Sequence, residues 1–232
     1  MAWVVLVVIV AVSLGALAHK PIAVGETYPT RDVAVQVFDP DVSQVIYTEI
    51  APEAPSSWIF VETAGPFDLY VSLGVPAIDR LVDFRPSLAI VGPGLPEINL
   101  PGTFAMPGGS GAVLLGTTAI SEPEAFFEPF TGTESWILLQ QTVHLPEAGR
   151  YDIVALSGSD AADAGSQFGK LWMAIGTREK FGVRDIVSLP SVVRDVRVFH
   201  EMPPRISPAG WVRIGVLTAI AGLAVWAVVR AL

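Results

Sequence analysis

VIYTEIAPEAPSSWIFVETAGPFDLYVSL, residues 45–73, decides the fold class. Three runs of β-branched and aromatic residues, Val45 to Ile50, Trp58 to Val61 and Leu69 to Leu73, stand between turns rich in Pro, Gly, Ser and Asp. None is long enough for a good helix, and each has the composition of a strand.

The same texture extends to both sides. Val33, Val35 and Val37 alternate upstream, and Ser87 to Val91, Ala112 to Leu115, Trp136 to Gln140, Tyr151 to Leu156 and Leu171 to Ile175 follow downstream, each bounded by Gly, Pro, Asp or Ser. About eight or nine short strands with frequent turns predict an all-β domain over residues 19–178, an antiparallel, jelly-roll-like β-sandwich.

The order of these runs carries a resemblance. Trp58-Ile-Phe-Val-Glu-Thr-Ala-Gly65 leads to Leu69-Tyr-Val71, then to Pro86-Ser-Leu-Ala-Ile-Val-Gly-Pro-Gly94. Val143-His-Leu-Pro-Glu-Ala-Gly-Arg-Tyr-Asp-Ile-Val154 and Gly169-Lys-Leu-Trp-Met-Ala-Ile-Gly176 complete the series. From Trp58 to Gly176 the chain resembles the bacterial pre-peptidase C-terminal (PPC-like) β-sandwich, with two departures, the Pro/Gly-rich stretch 92–110 and the loop 121–134. The resemblance implies a non-catalytic accessory or binding domain outside the cytoplasm.

Both ends of the 232-residue chain are apolar. Residues 1–18 hold no charge and close on Ala16-Leu17-Ala18, a signal-peptidase pattern that would make His19 the mature N-terminus. The missing basic n-region leaves an uncleaved N-terminal anchor as the alternative. Ile214 to Val229 is free of charge, and with Trp211 and the stems of Arg213 and Arg230 it approaches the ~20 residues that cross a bilayer. Residues 211–232 are therefore expected to form one C-terminal transmembrane helix. The signal pattern sets the domain on the extracytoplasmic side, against a thin basic count that favours the opposite orientation.

Between domain and anchor, residues 179–210 read as a juxtamembrane stalk. Pro190 is expected to open an amphipathic helix with Val192, Val193, Val196, Phe199 and His200 on one side and Arg194, Asp195 and Arg197 on the other. Such a helix either lies on anionic headgroups or packs on its own sandwich. A Pro-rich hinge, 202–208, follows it.

The whole chain has a net charge of −9, and residues 19–177 hold 6 basic and 19 acidic residues, a net charge of −13. That head repels phosphates, so nucleic acid is not an expected partner. With no cysteine, disulfides, thiolate metal sites and cysteine nucleophiles are excluded. No P-loop, dinucleotide fingerprint, zinc-protease motif or nucleophile elbow is present, and no enzyme is expected. Asp39-Pro-Asp41 and the 159–163 turn could offer oxygen ligands to calcium, although turn carboxylates ordinarily bond local backbone. A mature His19 with His144 as second imidazole would suit Cu(II), which makes a copper-binding periplasmic protein the alternative function.

The two insertions are the stronger candidates. Phe126, Phe127 and Phe130 stand among acids and prolines in an expected loop, and Leu95, Ile98, Leu100, Phe104 and Met106 fill the other. Apolar loop residues imply a contact, either with a partner or with the end of the sandwich itself. The reading that results is a non-enzymatic, membrane-anchored binding or assembly domain. It would serve as an accessory subunit of a membrane complex, meeting another envelope or membrane protein through Phe126, Phe127, Phe130 and Phe104, with no cofactor required.

Overall fold

A computed structural model describes residues 20–98, 100, 106–157, 168–180 and 183–203. The expected signal segment, the 204–210 part of the hinge and the expected transmembrane helix lie outside them, as do His19, Phe104 and the 159–163 turn. No helix among the described residues is long and apolar enough to cross a membrane.

The described residues are mostly β, in two mixed sheets, with one α-helix. The strands are β1 (Lys20–Val24), β2 (Val35–Gln36), β3 (Gln44–Ile50), β4 (Ser56–Thr63), β5 (Phe67–Pro76), β6 (Ser87–Gly92), β7 (Gly111–Leu115), β8 (Glu124–Glu128), β9 (Thr133–Leu145), β10 (Gly149–Leu156) and β11 (Gly169–Ile175), followed by α1 (Val183–Phe199). One sheet has the order β1-β3-β11-β5-β9-β8 and the other β2-β4-β10-β6-β7.

Sandwich-like stacking follows from where the apolar side chains point. Ile46, Leu69, Val71, Leu73, Leu171 and Met173 of the first sheet and Ile59, Val61, Leu88, Ile90, Tyr151 and Ile153 of the second fall in one buried cluster. Each sheet is apolar on its other face as well. Val45, Trp172 and Ala174 cluster behind the first, while Trp58, Ala89, Val91, Ala112 and Val154 cluster behind the second. Strands covered on both faces need no polar alternation, which is why Leu88 to Val91 of β6, Ile153 to Leu156 of β10 and Leu171 to Ile175 of β11 read as continuous apolar runs.

The sheets depart from the all-antiparallel expectation at two edges. β1 runs parallel to β3 and β2 parallel to β4. Residues 25–43 supply the crossover that parallel pairing needs, since they visit the second sheet at β2 before returning to the first at β3.

The described residues of the 92–110 insertion fold back on their own domain. Leu95 is buried, Leu100 and Met106 pack on the outer face of the second sheet, and the Ala112 N–H donates to the Pro96 carbonyl at 2.8 Å. Gly111 permits this return, because a Cβ there would collide with the Leu95 and Pro96 backbone. Beside this return, the Tyr151 hydroxyl bonds the carbonyls of Pro93, at 2.8 Å, and Glu147, at 3.0 Å, fixing the turn before β10.

The helix corrects two details. It begins at Val183, so Pro190 lies inside it rather than at its first turn. Arg197, placed by periodicity on the solvent side, is only 5% exposed. Val196, Phe199 and His200 are buried as the amphipathic pattern requires, and the C-terminal half of α1 packs on the domain.

Candidate functional site

The aromatic segment expected to be a loop forms an edge strand instead. Residues 122–130 contain no glycine, and Ala125-Phe126-Phe127 suits a pleated strand, so pairing with β9 is available from Pro123 to Pro129, where it stops. The register runs from Glu124↔Ile137 to Glu128↔Thr133. Glu124, Phe126 and Glu128 therefore share one face and Ala125 and Phe127 the other. Phe127 is 52% exposed, Phe126 is half-buried, and Phe130 is half-buried in the turn that follows.

That turn is clamped by the helix. Arg197 Nη1 donates to the carbonyls of Thr131, at 2.9 Å, and Gly132, at 3.3 Å, while its Nε donates to the Pro203 carbonyl at 2.9 Å. One guanidinium thus joins the β8–β9 turn, the end of α1 and the chain leaving it. The planar fork suits three diverging carbonyls where an ammonium would not.

Beside the clamp lies a buried polar pair. The Val196 carbonyl can only accept, so His200 Nδ1 carries the proton at 2.8 Å and the Ser135 hydroxyl donates to Nε2 at 3.1 Å. Burial holds the imidazole below its ordinary pKa, against the Val196 hydrogen bond, and the charges of Lys170 and Arg197 add to the lowering. A serine beside a histidine invites a nucleophile reading. Here both are sealed, at 6% and 5% exposure, and a carbonyl rather than a carboxylate orients the ring, so the bond serves docking.

The Tyr47 ring meets Phe199 and His200 edge-on, with centroids 5.3 and 5.8 Å away. Desolvation pushes its phenol above the ordinary range, and the Glu128 carboxylate adds to the rise. Glu128 accepts the Phe130 N–H at 3.0 Å, yet burial outweighs that bond and raises its pKa. Outside this patch, Glu201 binds Lys170 at 2.9 Å and also Arg80, which hold its carboxyl below the usual range.

The remaining sequence candidates separate. His144 is exposed on β9 and pairs with Asp68 at 2.7 Å. Lys20, the first described residue, begins the opposite part of that sheet, four strand spacings or roughly 19 Å away along it. His19, its expected partner in a copper site, lies outside the described residues. Asp41 and Asp39 hold Arg178, at 2.7 Å, and Lys180, at 3.0 Å, so the turn proposed for calcium ties down the segment after β11. Among the described residues no group of three or more His, Asp or Glu is placed to hold a metal ion.

Sequence reasoning missed Arg197, Ser135, Tyr47 and Glu128. A lone arginine on a helix and a serine in a strand carry no local signal of a long-range bond. A further buried carboxylate, Asp152, is bridged by Arg31 and Arg150, each at 2.7 Å, with Arg150 stacked 3.8 Å over Phe60. No family model matches the chain, and no curated protein matches it.

Proposed function

We propose that this chain is a non-enzymatic, membrane-anchored, extracytoplasmic binding or assembly module. It acts as an accessory subunit whose β8 edge, with Phe126, Phe127 and Phe130, meets another membrane or envelope protein. One observation carries the reading: Arg197 ties Pro203 to Thr131 and Gly132, so the chain continues toward residues 204–232 from beside the turn that follows β8. Seven residues, 204–210, separate this point from the apolar C-terminal segment and span at most about 25 Å. With residues 211–232 as the anchor and residues 1–18 as a cleaved signal, the exposed Phe127 edge stands at the membrane-proximal end of the domain. A partner held in the same bilayer is then within reach. The resemblance to the PPC-like sandwich, an accessory domain type, agrees with this role.

The test places a photoreactive phenylalanine analogue at position 127 of the full-length protein in its own membranes, with Phe38, 68% exposed in the turn after β2, as control site. A membrane-protein adduct from position 127 and none from position 38 is expected. No adduct, or the same adduct from both sites, overturns the proposal.

A further inference from the structure

We infer that β8 receives an extended basic segment of that partner, which adds to the six-stranded sheet as a further strand. Its Lys or Arg residues lie opposite Glu124 and Glu128, and its apolar residues lie against Phe126 and Phe127. The inference rests on the proposed function and specifies the partner's chemistry.

Among the described residues, β8 is the sheet edge best suited to accept a strand. β2 is two residues long, β7 is bonded by the returning insertion through Ala112, and the end of β1 faces α1 across a groove shared with Asp195, Val198 and Phe199. β8 has five residues and one neighbour, which leaves every second residue with its N–H and C=O directed away from β9. Such an edge is a template for strand addition, in which main-chain bonds give affinity and alternate side chains give specificity.

The charges select the incoming strand. Asp39, Asp41, Asp68, Asp152, Asp195 and Glu201 each hold a basic partner. Glu124, Glu128 and Glu134, on or opposite β8, hold none among the described residues; other surface carboxylates such as Glu53 and Asp83 share this, but those of β8 line an open sheet edge, and Glu128 is partly desolvated besides. A second copy of the chain is disfavoured, because antiparallel β8–β8 pairing centred on Phe126 sets Glu124 against Glu128 of the other strand. A segment reading basic, apolar, apolar, apolar, basic satisfies both faces in either direction. Membrane-flanking stretches of other proteins carry such basic residues, and the exit beside the β8–β9 turn places this edge near them.

The experiment uses full-length protein in zwitterionic nanodiscs and three fluorescent peptides. These are Thr-Lys-Val-Phe-Val-Lys-Thr, its counterpart with Glu in place of Lys, and the basic peptide N-methylated at alternate amides. The basic peptide is expected to bind about ten-fold tighter than either of the others, to weaken between about 0.05 M and about 0.5 M salt, and to slow amide exchange on β8. Glu124→Lys, distant from the helix clamp, is expected to abolish the preference for the basic peptide. Equal binding of all three, protection outside β8, or salt-independent self-association through β8 overturns the inference. Where the position 127 adduct persists without peptide binding, the partner contact stands and strand addition fails. Where both are absent, the proposed function fails too.

Discussion

His200 stays neutral because its two neighbours make opposite demands: the Val196 carbonyl needs a proton on Nδ1, and the Ser135 hydroxyl needs a lone pair on Nε2. With the folded pKa below 6.5, the unfolded chain takes up the proton first as pH falls. This contribution is therefore complete above pH 6.5 and is lost progressively below it. Glu128 has the opposite sign. Its raised folded pKa means that the folded state binds more protons above pH 4.5, so its contribution weakens as pH rises. His200→Gln is expected to lower stability by about 1 kcal/mol for the lost hydrogen bond. It should also flatten the fall in unfolding temperature between about pH 7.5 and about pH 5.5, measured by thermal melts beside the unmodified chain. Glu128→Gln should raise the unfolding temperature near neutral pH and lose that advantage near pH 4. None of these partners was legible in the sequence, since Ser135 and His200 are 65 residues apart and each is unremarkable in its own segment.

At the scale of elements, α1 is held to the sheet less by its propensity than by what its last turn touches. Val192, Val193 and Val196 are modest helix formers, and Pro190 contributes no N–H to the ladder. Docking through Phe199, His200 and Arg197 supplies the compensation. Arg197→Met keeps the aliphatic stem but leaves the carbonyls of Thr131, Gly132 and Pro203 without their charged donor. A cost of about 2–4 kcal/mol in urea denaturation is expected, with faster protease cleavage at Arg194. Arg197→Lys should not restore it, because one ammonium cannot span the three acceptors. The amphipathic face was legible from period alone, but burial of Arg197 was not, because a polar residue is placed on the solvent side until its acceptors are known. Similarly, β8 was hidden by Glu122, Pro123, Glu128 and Pro129, which read as loop signals although they only cap and charge an edge.

For the whole molecule, two stacked sheets met on their outer faces by the C-terminal half of α1 and by Leu100 and Met106 make a domain whose acidic surface leads into a basic, apolar C-terminal region. If residues 211–232 anchor the protein, the full chain should stay with membranes through alkaline carbonate extraction. A chain ended after Pro203, which keeps the Arg197 clamp, should be released; its retention would point to another attachment. The sequence by itself determined the β class, the positions of β3 to β7 and β9 to β11, the apolar face of α1 and the apolar ends. These are properties of local composition and period. Only the tertiary structure decided that two edge pairs are parallel and that Asp39 and Asp41 hold cations of this chain. It also decided that Leu95, Leu100 and Met106 fold inward, and that β8 has one strand neighbour among the described residues, beside the clamped exit. Each depends on which distant segments meet, and no local pattern of apolar and polar residues encodes a partner supplied by long-range hydrogen bonds and packing.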